Sequence, residues 1–177
     1  MIFGDKESFA VEILLSQGDR HIFANYCLWV KDMMIGDLSQ ATLLSSVLDV
    51  IDNVTRLIGN RFISDIDCSN IPSLIEELIE RYLGDTNIFV PNIVSCHDEC
   101  TDGFFVFLLE ENGFDLILIK DIATNEYHYA RIPKNTVYRC FQKAEQWIKD
   151  STVLVLKDYL YELKNGNSVN IERNGRQ

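Results

Sequence analysis

Two apolar segments joined by a short polar connection constrain the fold of this chain more than any other feature. Residues 104–109 (FFVFLL) and 114–119 (FDLILI) flank the polar sequence EENG. Its last two residues, Asn112-Gly113, suit a tight type I′ turn because both tolerate positive φ angles. Nearly every flanking position is apolar, which is typical of strands covered on both faces. The sequence therefore predicts an antiparallel hairpin in the middle of the chain.

The N-terminal part of the chain alternates between apolar and polar residues with the period of two that is typical of strands. The pattern predicts strands at residues 8–16 and 22–30, with a turn at Gly18-Asp19. A tight turn at Lys31-Asp32 would lead into a short strand at Met33–Ile35. We expect these strands to form an antiparallel meander.

The next segment changes to a helical period. Apolar residues from Leu43 to Ile58 fall on one helical stripe, with Ser39 as the expected N-cap and Gly59 as the expected residue after the C-cap. A second helix is indicated by Ser73 and Glu76, which have the spacing of a capping box, and it should end at Gly84.

The C-terminal part of the sequence adds one strand and one helix. We expect a strand at Glu126–Ile132 and a helix opened by Pro133 and extending to Ile148. Residues 152–164 suit either a strand or a helix. The fold class is therefore α+β: an antiparallel sheet, made of the N-terminal meander and the central hairpin, with about three packed helices. Residues 1–164 should form one domain, followed by a polar, mobile tail at 165–177.

Charge is distributed unevenly along the chain. Sixteen acidic residues and only three basic ones lie between Asp32 and Ile119, and the whole chain has a net charge of −11. A field of that sign repels nucleic acid and anionic membranes and attracts basic partners. We expect the partner-binding residues to come from this region, first from the solvent side of the second helix and then from a later loop: Glu76, Glu77, Glu80, Asp98, Glu99 and Asp102.

A simpler interpretation of the same acids competes with this one. Exposed carboxylates often do no more than keep a protein in solution, and Glu77 could pair with Arg81 one helical turn later. The neighbouring acids Glu110 and Glu111 are also expected to be solvated, because adjacent carboxylates on one strand do not face each other across a catalytic cleft.

Candidate catalytic and metal-binding residues are few. Cys96, His97 and Cys100 could supply three zinc ligands, but a structural site needs a fourth and no second Cys/His pair follows. We expect no metal, no cofactor and no catalytic residue. A small hydrolase or transferase that uses Cys96, His97 and Asp98, or a carboxylate on a helix, remains an alternative. The five cysteines, and a start without the pattern of a secretory signal, favour reduced thiols in the cytoplasm.

The N-terminal residues resemble a known family. Ile2-Phe3-Gly4-Asp5, Phe9-Ala10, the aromatic strand at 22–30, and Ile35-Gly36-Asp37 leading to Ala41-Thr42-Leu43 are similar to the immunity protein 42 family of bacterial polymorphic toxin systems. The likeness covers about the first 50 residues. The chain departs from the family at Lys31-Asp32, where the family often has Asn-Gly.

The resemblance implies a small cytoplasmic protein that binds and neutralises a cognate toxin domain and has no enzymatic activity. An acidic inhibitor suits a basic toxin domain, because opposite fields speed encounter. An adaptor for basic peptides without a toxin partner is the other alternative that the acidity permits.

Overall fold

The computed structural model describes residues 1–18, 21–61, 70–84, 93, 99–111 and 113–164, with side chains described to residue 152. Its strands are antiparallel and form two sheets, and three helices accompany them. This arrangement confirms the α+β class. Close contacts group Met1–Ala144 into one compact unit and Glu145–Gln177 into another. The tail expected at residues 165–177 lies outside the described part of the chain.

The first sheet contains the expected meander and two further strands, one before it and one after it in the sequence. Strands β1 (Ile2–Asp5), β2 (Phe9–Gln17), β3 (Ile22–Val30) and β4 (Met33–Ile35) pair in that order, and β5 (Thr42–Leu43) also pairs with β3. Val30 pairs with Met33, so Lys31-Asp32 is a two-residue turn as predicted. Both turn residues have positive φ, 51° and 64°, the conformation for which Asn-Gly is better suited.

One face of this sheet forms the core. Phe9, Val11 and Ile13 of β2 are fully buried, as are Tyr26 and Leu28 of β3. This is the apolar face that the alternation predicted, because side chains two residues apart along a strand point to the same side.

The second sheet contains the predicted hairpin. Strands β6 (Phe104–Glu111), β7 (Phe114–Asp121) and β8 (Glu126–Pro133) pair in sequence order. Glu111 pairs with Phe114, and Gly113 has a φ of 82°, which confirms a two-residue connection with positive φ at the glycine. Asn112 itself lies outside the described residues. Buried residues run through the middle of both hairpin strands, so they are covered on both faces as expected.

Helix α1 (Leu44–Arg56) begins later than predicted. Leu43 occupies the N-cap position without a side-chain cap, so the prediction of Ser39 as N-cap is wrong. The intervening residues are used differently: Asn25 Nδ2 donates to the carbonyls of Leu38 and Gln40, and β5 pairs with β3 before the helix starts. The helix also ends earlier, with Leu57 as C-cap, which leaves Gly59 one position beyond its expected place.

Helix α2 (Ile71–Leu83) ends at Gly84 as predicted, but its cap differs. The side chain of Asn70 accepts a hydrogen bond from the Ser73 amide, and Pro72 occupies the first turn. The capping box at Ser73 and Glu76 is therefore wrong. Asn70 provides the same kind of acceptor one turn earlier. Proline suits the first turn because it has no backbone N–H, and an N–H there would have no acceptor within the helix.

Helix α3 (Thr136–Lys164) also starts after its predicted residue. Pro133 is the last residue of β8 and pairs with Phe114, so the prediction that it opens the helix is wrong. The backbone turns at Asn135, whose φ is 65°, before the helix begins. Residues 152–164, for which the sequence left two alternatives, are helical.

Candidate functional site

Helix α2 presents its three acidic residues away from a buried stripe. Leu74, Ile75, Leu78 and Ile79 pack in one hydrophobic cluster with residues of the second sheet: Phe107, Leu109, Leu116 and Leu118. Glu76, Glu77 and Glu80 lie off this stripe, as the helical period predicted. The three carboxylates nevertheless have different surroundings.

Glu76 is tied to the sheet beneath it. Its carboxylate accepts a hydrogen bond from Lys120 Nζ at 2.5 Å and another from the hydroxyl of Tyr127. The bond from Lys120, followed by that from Tyr127, holds the pKa of Glu76 below its usual value. The same contacts raise the pKa values of Lys120 and Tyr127. Glu76 therefore links α2 to β7 and β8 while 42% of its side chain stays exposed.

The other two acids of α2 are more available. Glu77 pairs with Arg81, as the simpler interpretation expected. Glu80 is exposed, and no ion pair joins it to another residue in the part of the chain that the structure describes. A partner could thus reach Glu80 without breaking an internal contact.

The loop before β6 holds its acids on a firmly attached backbone. Glu99 and Asp102 are exposed on either side of Cys100 and Thr101, which are fully buried. Cys100 Sγ lies 3.1 Å from the carbonyl oxygen of Gln40, and the Cys100 carbonyl accepts from the amide of Asp37 at 2.7 Å. These bonds fasten the loop to the first sheet and leave Glu99 and Asp102 facing water. Asp98 lies outside the described residues.

Close approach of the two backbones requires glycine at position 36. A Cβ atom there would lie 2.7 Å from the carbonyl oxygen of Cys100, and its φ of 111° is one that L side chains rarely adopt. Gly36 belongs to the sequence that carries the family resemblance. This short motif therefore allows the loop that carries Glu99 and Asp102, which we call the acidic loop, to pack against the first sheet.

Strand pairing brings further acids to the same place. Asp121, at the end of β7, pairs with Phe104 at the start of β6 and with Glu126 at the start of β8. The amide of Ile122 donates to the carbonyl of Gly103, next to Asp102. Glu76 contacts Lys120 and Tyr127, the sequence neighbours of that pair. We call this region, comprising Glu76, Asp102, Asp121 and Glu126, the acidic end of the second sheet.

Sequence reasoning missed Asp121 and Glu126. Only the hairpin register could have indicated them, because it fixes which residues of β7 and β8 reach the edge beside Asp102.

His128 Nε2 lies 3.5 Å from a carboxylate oxygen of Glu126. Asp37 is also exposed next to the acidic loop, and hydrogen bonds from Ser39 hold its pKa below the usual value.

A second cluster of charge is buried. Arg61, Glu110 and Asp115, which we call the buried ionic cluster, are 3%, 4% and 2% exposed. Arg61 Nη1 lies 3.6 Å from Glu110 Oε1, and the Gly59 amide donates to the same oxygen at 2.8 Å. The expectation that Glu110 is solvated is therefore wrong: it faces a cation contributed by a distant part of the chain.

Asp115 accepts hydrogen bonds from backbone amides at the start of α3. Its carboxylate accepts from the amide of Val137 at 3.4 Å and from that of Asn135. A carboxylate at a helix N-terminus meets unpaired N–H groups and the positive end of the helix dipole. Burial nevertheless raises the pKa of Asp115, because desolvation disfavours the charged form more than these bonds favour it. The cluster joins α1, the hairpin and α3.

The described residues offer little for catalysis. Burial raises the pKa of Cys27 to about 12 and also raises that of Cys140, which keeps both thiols protonated and poor nucleophiles. Cys96 and His97 lie outside the described residues, and among the residues that the structure describes no three metal-binding side chains come together. A cavity of about 300 Å³ is lined by one histidine and otherwise by residues without an acidic or thiol group: His21, Ile22, Leu43, Leu44, Ser45 and Leu48.

Comparison with known proteins agrees with the resemblance seen in the N-terminal residues. The family model for immunity protein 42 matches residues 1–147. The crystal structure of CdiI from Burkholderia dolosa AUO158 is similar, with a TM-score of 0.66, 13% sequence identity, and coverage of 82% of this chain and 99% of that one. No curated protein matches the sequence.

The structural likeness concerns the fold, since the two sequences have diverged widely. Within the described residues, no helix has the length and apolar character needed to cross a bilayer. The family match extends through both sheets and the two helices between them, far past the segment in which the resemblance was first visible. The chain belongs to the immunity protein 42 family.

Proposed function

We propose that this protein binds a cognate bacterial toxin domain and neutralises it without catalysis, using the acidic end of the second sheet and the nearby exposed acids. Membership of an immunity protein family over residues 1–147 is the observation that carries the proposal. The cytoplasm, where a toxin reaching its target would have to be intercepted, is the proposed location.

The charges suggest what kind of surface the partner presents. Carboxylates converge here from three parts of the chain, with Asp102 and Glu126 exposed and Glu76 and Asp121 partly exposed, whereas Lys120, a cation among them, is already engaged by Glu76. A basic toxin surface, such as one that handles nucleic acid, would be attracted to this region, and the inhibitor would occupy the place of the substrate phosphates. The same field disfavours binding of nucleic acid or an anionic membrane by this protein itself.

The acids divide into two roles under this proposal. Glu80, Glu99 and Asp102 are exposed and would steer the encounter, together with Asp98 next to them in sequence. Glu76 and Glu77 already have cationic neighbours and would contribute less. Steering by exposed charge changes the association rate more than the dissociation rate.

A charge-reversal experiment tests the proposal with a candidate toxin domain cloned from the neighbouring gene. The variant E80K/E99K/D102K should associate about tenfold or more slowly at low salt, and the difference should shrink as ionic strength rises. Glu76 is left intact because a lysine there would face Lys120. Stopped-flow association over a series of salt concentrations is the measurement.

The matched control is D49K/D52K/D150K, which changes the net charge equally at exposed positions on α1 and α3. If the control slows association as much as the test variant, Glu80, Glu99 and Asp102 are not part of the binding surface and only net charge matters. If the wild-type protein neither binds the toxin domain nor protects cells that express it, the proposed function itself is wrong.

A further inference from the structure

The first sheet has an outward face that carries apolar side chains. Residues directly opposite each other in an antiparallel pair point to the same side of the sheet. The register places Ile2 opposite Glu12 and Trp29 opposite Met34, while Leu14 lies two residues beyond Glu12 on β2. The same register puts Ala10 and Cys27 on this side of the sheet, and both are fully buried. We call the accessible side chains on this surface the outer face: Ile2, Glu12, Leu14, Trp29 and Met34.

Exposure on the outer face is high for apolar residues. Ile2, Leu14 and Met34 are 44%, 46% and 43% exposed, and Trp29 is half-buried. The solvated face of an antiparallel sheet is normally polar, so accessible apolar side chains on both sides of Glu12 require an explanation. Contiguous exposed apolar residues rimmed by polar ones mark interaction sites in soluble proteins.

Trp29 is held in one orientation between Met34 and Glu12 on this surface. Its indole Nε1 donates to Glu12 Oε2 at 2.9 Å, and Lys6 Nζ lies 3.6 Å from the ring centroid and 2.9 Å from the same carboxylate oxygen. Tryptophan is among the residues that contribute most to binding when it lies at the centre of an interface. Fixing its side chain before association lowers the entropy cost of binding.

The charges at one end of the outer face indicate which partner would cover it. The turns there expose Asp5, Glu7 and Asp32 but only one cation, Lys31, because Lys6 is engaged by Glu12 and Trp29. Two copies of this chain, each with a net charge of −11, would repel each other, and an isologous contact would bring the same rim charges together. A different protein with a basic rim avoids this cost.

We propose that the outer face is a second contact surface for the toxin domain, which would insert an apolar protrusion ringed by basic side chains against Trp29. This inference rests on the proposed function but concerns a separate surface with a separate kinetic role. The exposed acids near the second sheet govern how fast the partner arrives. The outer face governs how long it stays, because desolvated apolar contacts are lost only on dissociation.

The test is a comparison of dissociation rates. The variant L14Q/M34Q replaces two exposed side chains and leaves Trp29 and its contacts in place, so folding should be retained. Dissociation of the toxin domain should become about tenfold faster or more, while association at a given salt concentration should change little. The control I58Q/F114Q removes two apolar side chains that are exposed elsewhere, at 36% and 45%.

Each outcome decides between alternatives. Unchanged dissociation for L14Q/M34Q, with tight binding by the wild-type protein, would overturn this inference and leave the proposed function intact. No binding by the wild-type protein would remove both. Self-association through the outer face is tested by sedimentation of the wild-type protein without toxin. A dimer that L14Q/M34Q converts to monomer would assign the outer face to a second copy of this chain and overturn the proposal.

Discussion

The same chemical group serves opposite purposes in two regions of this protein. In the buried ionic cluster, Glu110 and Asp115 are at most 4% exposed and face Arg61 from a different part of the chain. At the acidic end of the second sheet, carboxylates from loop and strand ends converge in contact with water. The first region holds elements together, whereas the second leaves negative charge available to a partner.

The difference comes from hydration. A carboxylate taken out of water must recover its lost solvation from a cation or from N–H groups, so a buried carboxylate is costly to leave unpaired. Among the described buried side chains, Glu110 Oε2 is the atom left without a hydrogen bond, and Lys134 Nζ lies 3.9 Å from it. An exposed carboxylate keeps its water, and its pairing with a neighbour contributes little. The loss of stability caused by substituting a charged side chain should therefore increase with the burial of that side chain.

The largest effect is expected for R61M. Methionine fills part of the volume of arginine but leaves Asp115 buried without its cation and leaves Glu110 with Lys134 alone, 3.9 Å from Oε2. The free energy of unfolding should fall by about 3–5 kcal/mol, the usual loss when one partner of a buried ion pair is removed. Urea denaturation followed by circular dichroism is the measurement.

R56M is the control for this substitution. Arg56 pairs with Asp52 on α1, and both side chains are 67% exposed. This variant should lose about 0.5 kcal/mol or less. Equal losses for the two variants would contradict the distinction between buried and exposed charge.

An intermediate effect is expected for E76Q, and it should depend on pH. Hydrogen bonds from Lys120 and Tyr127 lower the pKa of Glu76 in the folded protein. The stabilisation is therefore present above the unfolded pKa, about 4.3, and is lost as pH falls through the lower folded value. The wild-type protein should be more stable than E76Q at pH 7, and the difference should narrow as the solution is acidified below pH 4.

The measurement is chemical denaturation of both proteins between pH 3 and pH 7. E80Q is the control, because Glu80 is exposed on the same helix. A constant difference between wild type and E76Q across this range would show that the Glu76 contacts do not depend on its charge.

The smallest effect is expected for E77Q. Glu77 pairs with Arg81 one turn later on an accessible helix surface, and such pairs contribute about 0.3–0.5 kcal/mol. Adding salt should reduce the difference from wild type, because exposed charges are screened. A decrease in the free energy of unfolding above about 1 kcal/mol would show that Glu77 stabilises the fold in the way expected of the buried carboxylates Glu110 and Asp115.

Local sequence patterns predicted the elements whose signal is contained within a few residues. The Asn112-Gly113 hairpin, the two long strands of the meander and the buried stripe of α2 needed only turn preference and side-chain period. Helix starts were less predictable. Asn70 and Ser73 can both accept a capping bond, and Pro133 suits a strand end as well as a helix start, so local preference alone does not choose between them.

The outer face shows the limit of the period rule. The period of two separates Trp29 from Tyr26 and Leu28 on β3 without saying which face is covered, and the register with β1 and β4 was needed to place Ile2 and Met34 on the side of Trp29. Both neighbouring strands are short, and β1 did not stand out from the sequence. Short strands carry a weak local signal, because their stability comes from the partner strand rather than from their own residues.

The sequence by itself determined the α+β class, the central hairpin, the overall negative charge and the family to which the chain belongs. Only the tertiary structure decided which carboxylates are buried and which face water. Glu110 and Glu111 are neighbours on β6, yet the first is buried against Arg61 and the second makes a half-exposed pair with Arg131. Period and turn preference act within a few residues, whereas the burial of a charge depends on a partner that chain folding brings from far away in the sequence.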